Sequence, residues 1–415
     1  MRKPKLLFYY SNDITKPYVG GAGFRFCRAI DLLKDHCEIT VALPGRPDWC
    51  SLNDKYGSRI KNGEVKVILV KAQSGWFRLR SCFACYGPLD RVIGQEAHKN
   101  DLSVCFTNFG HFGIPSLHFL IGLDIFNIVG IKGPVLKCWS PSFLGSKATV
   151  VSMFRKLAHS LVSCLNIIFF RKNLFIKKCV KNGDRLVANS MWLASYFEKE
   201  GMSLDVLYPP VISSFHYVPL CERRSDFVCI GRIHEIKRIE RMIDILKNLR
   251  KLGVWSSDFH IVGELDDTPY TKFIRDIAKR HPWVILEGKL VGRKKEALLT
   301  SCKYAIHACG VEAFGISVAE YLKAGCIPFV PAKCGASEVV ERDELCYHDE
   351  EDMIRKFRDF CNQDDEDQLR LQSLLIKRGE CFSLDLFDAH FLAIVNEELS
   401  KRGFADSICT VDYLS

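Results

Sequence analysis

The stretch VEAFGISVAEYLKAG, residues 311–325, sets two glutamates, Glu312 and Glu320, on either side of a Phe-Gly pair. Their spacing is a little over two helical turns, so one continuous helix would place both on one face. Gly315 argues otherwise. Residues 312–315 read as a loop and 316–324 as a helix, with Gly325 ending it in the usual C-terminal position. One carboxylate then stands over a helix N-terminus and the other a turn inside it. An anionic ligand with hydroxyl groups suits such a place, phosphate on the amides and hydroxyls on the carboxylates. A surface loop glutamate and a surface helix glutamate is the plainer alternative.

Working outward, strand-like and helix-like segments alternate. KLLFYYS, then the glycine turn and amphipathic helix GGAGFRFCRAIDLLKDH, then CEITVALP form a strand–helix–strand unit of a parallel sheet. VKVILVKA and LSVCFTN supply further strands, and RLVANS leads into the helix MWLASYFEKEG and LDVLYPPV. The same grammar restarts at DFVCIGRI and runs through DFHIVG, VILEGKL, YAIHAC and CIPFVPA, with helical segments between them. The expected fold class is α/β, two parallel-sheet halves facing a cleft, with ligands at the carboxyl ends of the strands. Expected boundaries are a first domain over 1–208, a Pro-Pro-led linker over 209–224, a second domain over 225–385, and a C-terminal helix and tail over 386–415.

A chain of 415 residues suggests two domains, and 48% hydrophobic with 26% charged residues is ordinary for a soluble protein. The longest apolar candidate, LHFLIGLDIFNIVGI, is broken by Asp124 and Asn127, so a spanning helix is not expected. The basic start MRKPK precedes too few apolar residues for a signal peptide. The 19 cysteines are scattered, many in strand-like runs, and read as reduced thiols of a cytoplasmic protein. Cys82 and Cys85 make the single C-x-x-C, with no second pair at zinc spacing. No metal site is expected.

The net charge of +9 is uneven: no acidic residue falls between Asp124 and Asp184, where Lys132, Lys137, Lys147, Arg155, Lys156, Arg171, Lys172, Lys177, Lys178 and Lys181 occur among apolar runs. This is either a peripheral contact with an anionic membrane surface or a solvated helical face. No recognised motif accompanies the charge, so nucleic acid is not an expected partner. The turn GGAGFRF lacks the last glycine of a dinucleotide fingerprint, because Phe26 holds that place, and a nicotinamide site is disfavoured. Arg232 and Lys237 bracket a short loop between a buried strand and a helix, where two cations suit a diphosphate or make a basic surface loop.

Taken in order, IGRIHEIKRIERMIDIL, HACGVEAFGISVAEYLKAGCIPFV with its E-x(7)-E spacing, CGASEVV, and VANSMWLASYFEKEG with VLYPPV resemble the family 4 glycosyltransferases. That retaining group has the GT-B architecture of two facing Rossmann-like domains. The resemblance implies that Arg232 and Lys237 hold a donor diphosphate, and that Glu312 with the amides of Phe314, Gly315 and Ile316 grips the donor sugar and phosphate. It implies ribose on Glu320, the base beside Lys289 and Leu290, a phosphate approach at Gly20 and Gly21, and an active-site histidine near His111. Cys334 departs from the pattern, standing where the family has the first of two glycines, and the His111 loop departs in its spacing.

The implied reaction transfers a hexose, with a lean to mannose, from GDP- or UDP-hexose to a glycan or lipid-linked acceptor. No cofactor or metal is expected, and the departing diphosphate is stabilised electrostatically. A sugar epimerase would leave E-x(7)-E unexplained. A catalytically inactive, membrane-associated carbohydrate-binding protein need not keep all of Arg232, Lys237, Glu312 and Glu320.

Overall fold

Runs of buried aliphatic and aromatic residues build two parallel sheets, one in each half of the chain. The computed structural model describes residues 2–10, 20–44, 65–70, 95–106, 116–120, 183–198 and 201–404. Two units divide the chain: unit 1 is Met1–Asn189, Ala194–Leu207 and Asp388–Ser415, and unit 2 is Ser190–Leu193 and Tyr208–Phe387.

In unit 1 the strands are β1 (Lys5–Tyr10), β2 (Glu38–Pro44), β3 (Lys66–Val70), β4 (Leu102–Phe106), β5 (Ser116–Phe119), β6 (Arg185–Ala188) and β7 (Asp205–Val206). Their order is β3-β2-β1-β4-β5-β6-β7, and every pairing is parallel. Helix α1 (Gly20–Leu33) follows β1 and buries Phe26, Ala29, Ile30 and Leu33. Phe26 stacks on Tyr10 at 5.2 Å and meets Phe106 edge-on at 5.6 Å, which fastens the helix to β1 and β4.

Strand β5 was not among the expected strands. Its sequence, SLHF, alternates polar and apolar residues but is only four residues long, and all four are buried, so neither a sustained period nor an apolar run marks it. The C-terminal helix packs against unit 1. Asp388 takes Arg28 of α1 in a bidentate pair, Glu397 and Glu398 pair with Arg185 of β6, and Phe391 packs on Phe119 at 5.3 Å. Three separate contacts return this helix, Leu384–Ser400, to unit 1 from Asp388 onward.

Unit 2 holds β8 (Arg224–Ile230), β9 (Phe259–Val262), β10 (Val284–Gly288), β11 (Cys302–Ile306), β12 (Ile327–Pro331) and β13 (Cys346–Tyr347). Their order is β10-β9-β8-β11-β12-β13, again parallel throughout. Helix α2 (Met191–Glu198) precedes this sheet in the chain, and α3 (Ile239–Lys251), α4 (Pro269–Arg280), α5 (Arg293–Ser301) and α6 (Ile316–Ala324) connect its strands. The core centres on Phe227, which packs against Trp255, Tyr304 and Phe357 at 5.0–5.3 Å. In each sheet the strand order reverses beside the first strand, between β1 and β4 and between β8 and β11. Open parallel sheets bind ligands at that reversal.

Residues 209–224, expected as a linker, are instead packed into unit 2. The Val211 amide donates to the Phe382 carbonyl at 2.8 Å, and buried Arg223 donates to the carbonyls of Val218, Cys302 and Ala324. Arg238, left-handed at φ 53°, separates a 3-10 turn, Glu235–Lys237, from α3. Among the described residues no helix is long and apolar enough to cross a membrane.

Helix α6 has the expected bounds, capped by Gly315 and Gly325 in left-handed conformations. It buries Val318, Ala319, Tyr321 and Leu322, while the Tyr321 hydroxyl accepts the Ile230 amide at 2.6 Å. That bond ties α6 to the carboxyl end of β8. Tyr321→Phe removes the acceptor and keeps the ring, so the unfolding free energy is expected to drop by about 1 kcal/mol. Denaturant titration of both proteins measures it; an unchanged midpoint would mean the amide finds another partner.

Candidate functional site

The carboxyl ends of β8 and β11, flanking the reversal of unit 2, supply the side chains that meet. After β8, Gly231 and exposed Arg232 lead into the Glu235–Lys237 turn, where the His234 ring accepts the Ile236 amide at 3.3 Å. After β11 come His307, Cys309 and Glu312. Lys237 Nζ forms a hydrogen-bonded ion pair with Glu312 Oε2. Burial works against both charges, yet Glu312 holds the Lys237 ammonium above its ordinary value. Burial likewise pushes Glu312 up, but Lys237 first and His307 next hold its carboxyl well below the usual range. His307 Nε2 lies 3.4 Å from Glu312 Oε2, and burial keeps the imidazole below its ordinary value and so neutral at pH 7. Arg232 adds a second positive charge, felt at Lys237.

The Glu312–Gly315 loop is held from two further sides. The Ala313 carbonyl accepts the Ser190 hydroxyl at 2.5 Å, and the Glu312 carbonyl accepts the Gly335 amide at 2.7 Å. Approach at the second contact is so close that a Cβ on Gly335 would lie 2.2 Å from the Ala313 oxygen. This position therefore requires glycine. Cys334, the departure noted in the sequence, is buried and donates its thiol to the Pro331 carbonyl at 3.1 Å; it caps the short helix α7 (Gly335–Val340). Glu338 of α7 accepts the amides of Met191 and Trp192 at 2.8 and 2.6 Å, a carboxylate on the N-terminus of α2, and the Tyr208 hydroxyl at 2.7 Å. These ties to residues 190–192 carry no local signature.

Phe314 turns its ring into the core against Tyr208 and Phe382, at 5.7 and 5.2 Å, so only its backbone faces the loop. Gly315 caps α6 at φ 97° without a side-chain hydrogen bond, and Ile316 opens the helix. Glu320, buried on α6, bonds Lys295 of α5 at 2.5 Å. Each carboxylate of the E-x(7)-E pair thus has its own lysine. Lys289 lies 3.8 Å from Glu264, and half-buried Leu290 packs on the core, both in the loop after β10. Lys295 and His307 were not singled out in the sequence, since nothing in their spacing links them to Glu320 or Glu312.

Two groups of metal-type donors occur among the described residues: His307, Cys309 and Glu312, and Asp226, His260 and Cys302. In each a protein cation already occupies the carboxylate, Lys237 on Glu312 and Arg224 on Asp226 at 3.1 Å. Burial first and Glu312 next push the Cys309 thiol up, which disfavours the thiolate a metal needs. Gly20 and Gly21 form the first turn of α1 in unit 1. His111, Cys82, Cys85 and the basic residues from Lys132 to Lys181 lie outside the described residues.

A pair of cations and two lysine-paired glutamates stand beside the reversal of a Rossmann-like parallel sheet. Residues 218–373 match the family described as glycosyl transferases group 1, a span containing Arg232, Lys237, Glu312 and Glu320. Over that segment the chain is similar to the group 1 glycosyltransferases. A curated relative, the Candida albicans GDP-Man:Man(3)GlcNAc(2)-PP-Dol alpha-1,2-mannosyltransferase, is 28% identical over 178 residues, covering 36% of this chain. The match covers only 28% of that relative's length. Among solved structures, sucrose-phosphate synthase from Thermosynechococcus elongatus aligns over 96% of this chain and 100% of its own, with TM-score 0.65 and 12% identity. Anabaena HepE, solved with UDP and glucose, aligns over 96% and 100%, with TM-score 0.58 and 16% identity. These two likenesses establish the fold.

The ion pair gives stability a pH dependence. Glu312 titrates lower in the folded than in the unfolded chain, so its contribution is present above its ordinary value of 4.5 and is lost as pH falls below it. His307, also lowered, adds a loss that begins below 6.5, because the unfolded chain takes up that proton first. Stability is expected to decline from pH 6.5 downward and more steeply below 4.5, with Glu312→Gln flattening the steeper part. Urea midpoints measured from pH 7 to 4 for both proteins decide it. Parallel curves would contradict the assignment.

Proposed function

We propose that the protein transfers a hexose, with a lean to mannose, from a nucleotide diphosphate sugar to a glycan or lipid-linked acceptor, with retained configuration. The reading rests chiefly on the Lys237–Glu312 ion pair beside Arg232 at the sheet reversal. The printed activity of the Candida albicans relative supports the mannose lean.

In this reading Lys237 and Arg232 receive the diphosphate. As the bond from the anomeric carbon to the diphosphate oxygen breaks, negative charge grows on the leaving group, and two fixed cations stabilise it. Lys237 exchanges its carboxylate partner for phosphate, which releases Glu312 to accept sugar hydroxyls. The uncapped amides at Phe314, Gly315 and Ile316 take a phosphate or sugar oxygen at the N-terminus of α6. Glu320, oriented by Lys295, accepts the ribose hydroxyls, and Lys289 with Leu290 flank the base. Gly20 and Gly21 let the turn after β1 approach the donor phosphates, and His111 serves as an active-site histidine. The acid-free stretch from 125 to 183 is its candidate contact with an anionic membrane surface. Glu312 and Glu320 do not act as the carboxylate pair of a retaining glycosidase, because a ribose-binding Glu320 stands away from the anomeric carbon.

The test is release of nucleoside diphosphate from a panel of GDP- and UDP-hexoses. Release from one or a few of them is expected, at a rate that falls on the order of 100-fold in Lys237→Ala and in Arg232→Ala. EDTA should leave the rate intact, since two cations take the place of a metal. No release from any donor, or full activity in both variants, refutes the reading. Loss in EDTA restored by magnesium or manganese refutes its metal-independent form.

A further inference from the structure

The Lys237–Glu312 pair has a neighbour that the hexose transfer leaves idle. His307, just past the end of β11, is 2% exposed, and its Nε2 is buried with no hydrogen-bond partner. That nitrogen stands 3.4 Å from Glu312 Oε2, the oxygen that holds Lys237, in a contact that falls short of a hydrogen bond. Backbone bonds on both sides keep it there. The His307 amide donates to the Phe329 carbonyl of β12 at 3.0 Å, and the His307 carbonyl accepts the Tyr347 hydroxyl of β13 at 2.6 Å. A buried ring nitrogen without a partner costs stability, so the fold alone does not account for its place beside the ion pair.

Charge balance does account for it. While Lys237 sits on Glu312, burial first and the Lys237 charge with it hold the imidazole below its ordinary value, and Glu312 pulls the other way. Once Lys237 turns to a diphosphate, Glu312 stays buried and charged without its ammonium, which is far costlier than the paired state. Phosphate then cancels the influence of Lys237 on the ring, and that of Glu312 remains. The other titratable neighbours bring no positive charge. Cys309, whose Sγ lies within 4.8 Å of the His307 and Glu312 donor atoms, is a thiol that burial pushes up. The Tyr347 hydroxyl is engaged by the His307 carbonyl. Arg232 is exposed and goes to the diphosphate in the same reading.

We propose that His307 is a positioning residue: as Lys237 turns to the diphosphate, the imidazole binds a proton from solvent and takes over Glu312 Oε2, which keeps that carboxylate ionised and aimed at the sugar hydroxyls. This step presupposes the donor-site reading, in which Lys237 trades Glu312 for phosphate. Binding of a nucleoside diphosphate then carries a proton into the site. The free imidazole titrates below its ordinary 6.5 and the bound one, facing an unpaired carboxylate, titrates higher. Between the two values the complex holds more protons than its parts, so affinity weakens as pH rises through that window.

Calorimetry of GDP and UDP in buffers of different ionisation enthalpy reads the proton. It is done above about pH 7, where the terminal phosphate has already lost its second proton. Wild type should take up as much as about one proton per nucleotide bound, with affinity falling by up to about tenfold per pH unit. His307→Gln keeps a hydrogen-bond donor but cannot take a proton; its affinity should fall roughly 10-fold, with neither uptake nor pH slope. Glu312→Gln removes the charge that calls for the proton, so uptake should vanish there too, and adding His307→Gln to it should cost nothing further. A purely structural His307 would instead lower affinity equally in both backgrounds and leave wild type without uptake. Either single variant reads the uptake, so misfolding of one leaves the outcome decided. Uptake that survives in His307→Gln or in Glu312→Gln, or wild-type binding without uptake, overturns the role of His307 and leaves the donor site standing. Wild type that binds neither nucleotide overturns both.

Discussion

The contact between Lys237 and Glu312 sets the terms for the rest of unit 2. Two charges removed from bulk water are tolerable only when paired with good geometry, and either one alone would be expensive. The pair therefore requires the loop after β8 and the loop after β11 to be held within a few tenths of an ångström. Much of the surrounding structure serves that end. Tyr321 fixes the end of β8, Gly335 lets α7 press on the Ala313 carbonyl, and Ser190 holds the same carbonyl from the other side. A left-handed Arg238 turns the chain so that Lys237 points back while α3 starts afresh.

Such a pair is also a site held ready. Lys237 has a partner that a phosphate can replace without leaving either group bare, since sugar hydroxyls can satisfy the carboxylate in turn. Glu320 and Lys295 repeat the arrangement one turn into α6. Both carboxylates of the sequence signature are thus oriented by lysines before any ligand arrives, which lowers the reorganisation that binding must drive.

What the sequence disclosed follows from the range of the forces involved. Helix α6 was legible to both ends because glycine at each terminus acts locally. Strands β8 to β12 of unit 2 were legible as apolar runs, whereas the two-residue β13 was not, and Arg232, Lys237, Glu312 and Glu320 stood out by motif spacing. Strand β5 escaped because SLHF is too short for its alternation to register, and it is paired with β4 and β6 on either side. Lys295 and His307 escaped because their partners are chosen by the fold. The role of Glu338 as the cap of α2 joins residues more than 140 positions apart, and no local rule reaches that far. The linker reading of 209–224 failed for a related reason: prolines mark irregular backbone, and irregular backbone can still be packed, as Val211 and Arg223 are.

The central claim is that Lys237 trades Glu312 for a diphosphate. Calorimetric titration of GDP and UDP into wild type and Glu312→Gln tests it directly, since the nucleotides carry the diphosphate but no sugar. If the exchange occurs, removing the charge on Glu312 frees Lys237, and the affinity for whichever nucleotide binds should hold or rise. If the affinity in Glu312→Gln instead falls to the level of Lys237→Ala, then the carboxylate itself builds the diphosphate site, and the account is wrong.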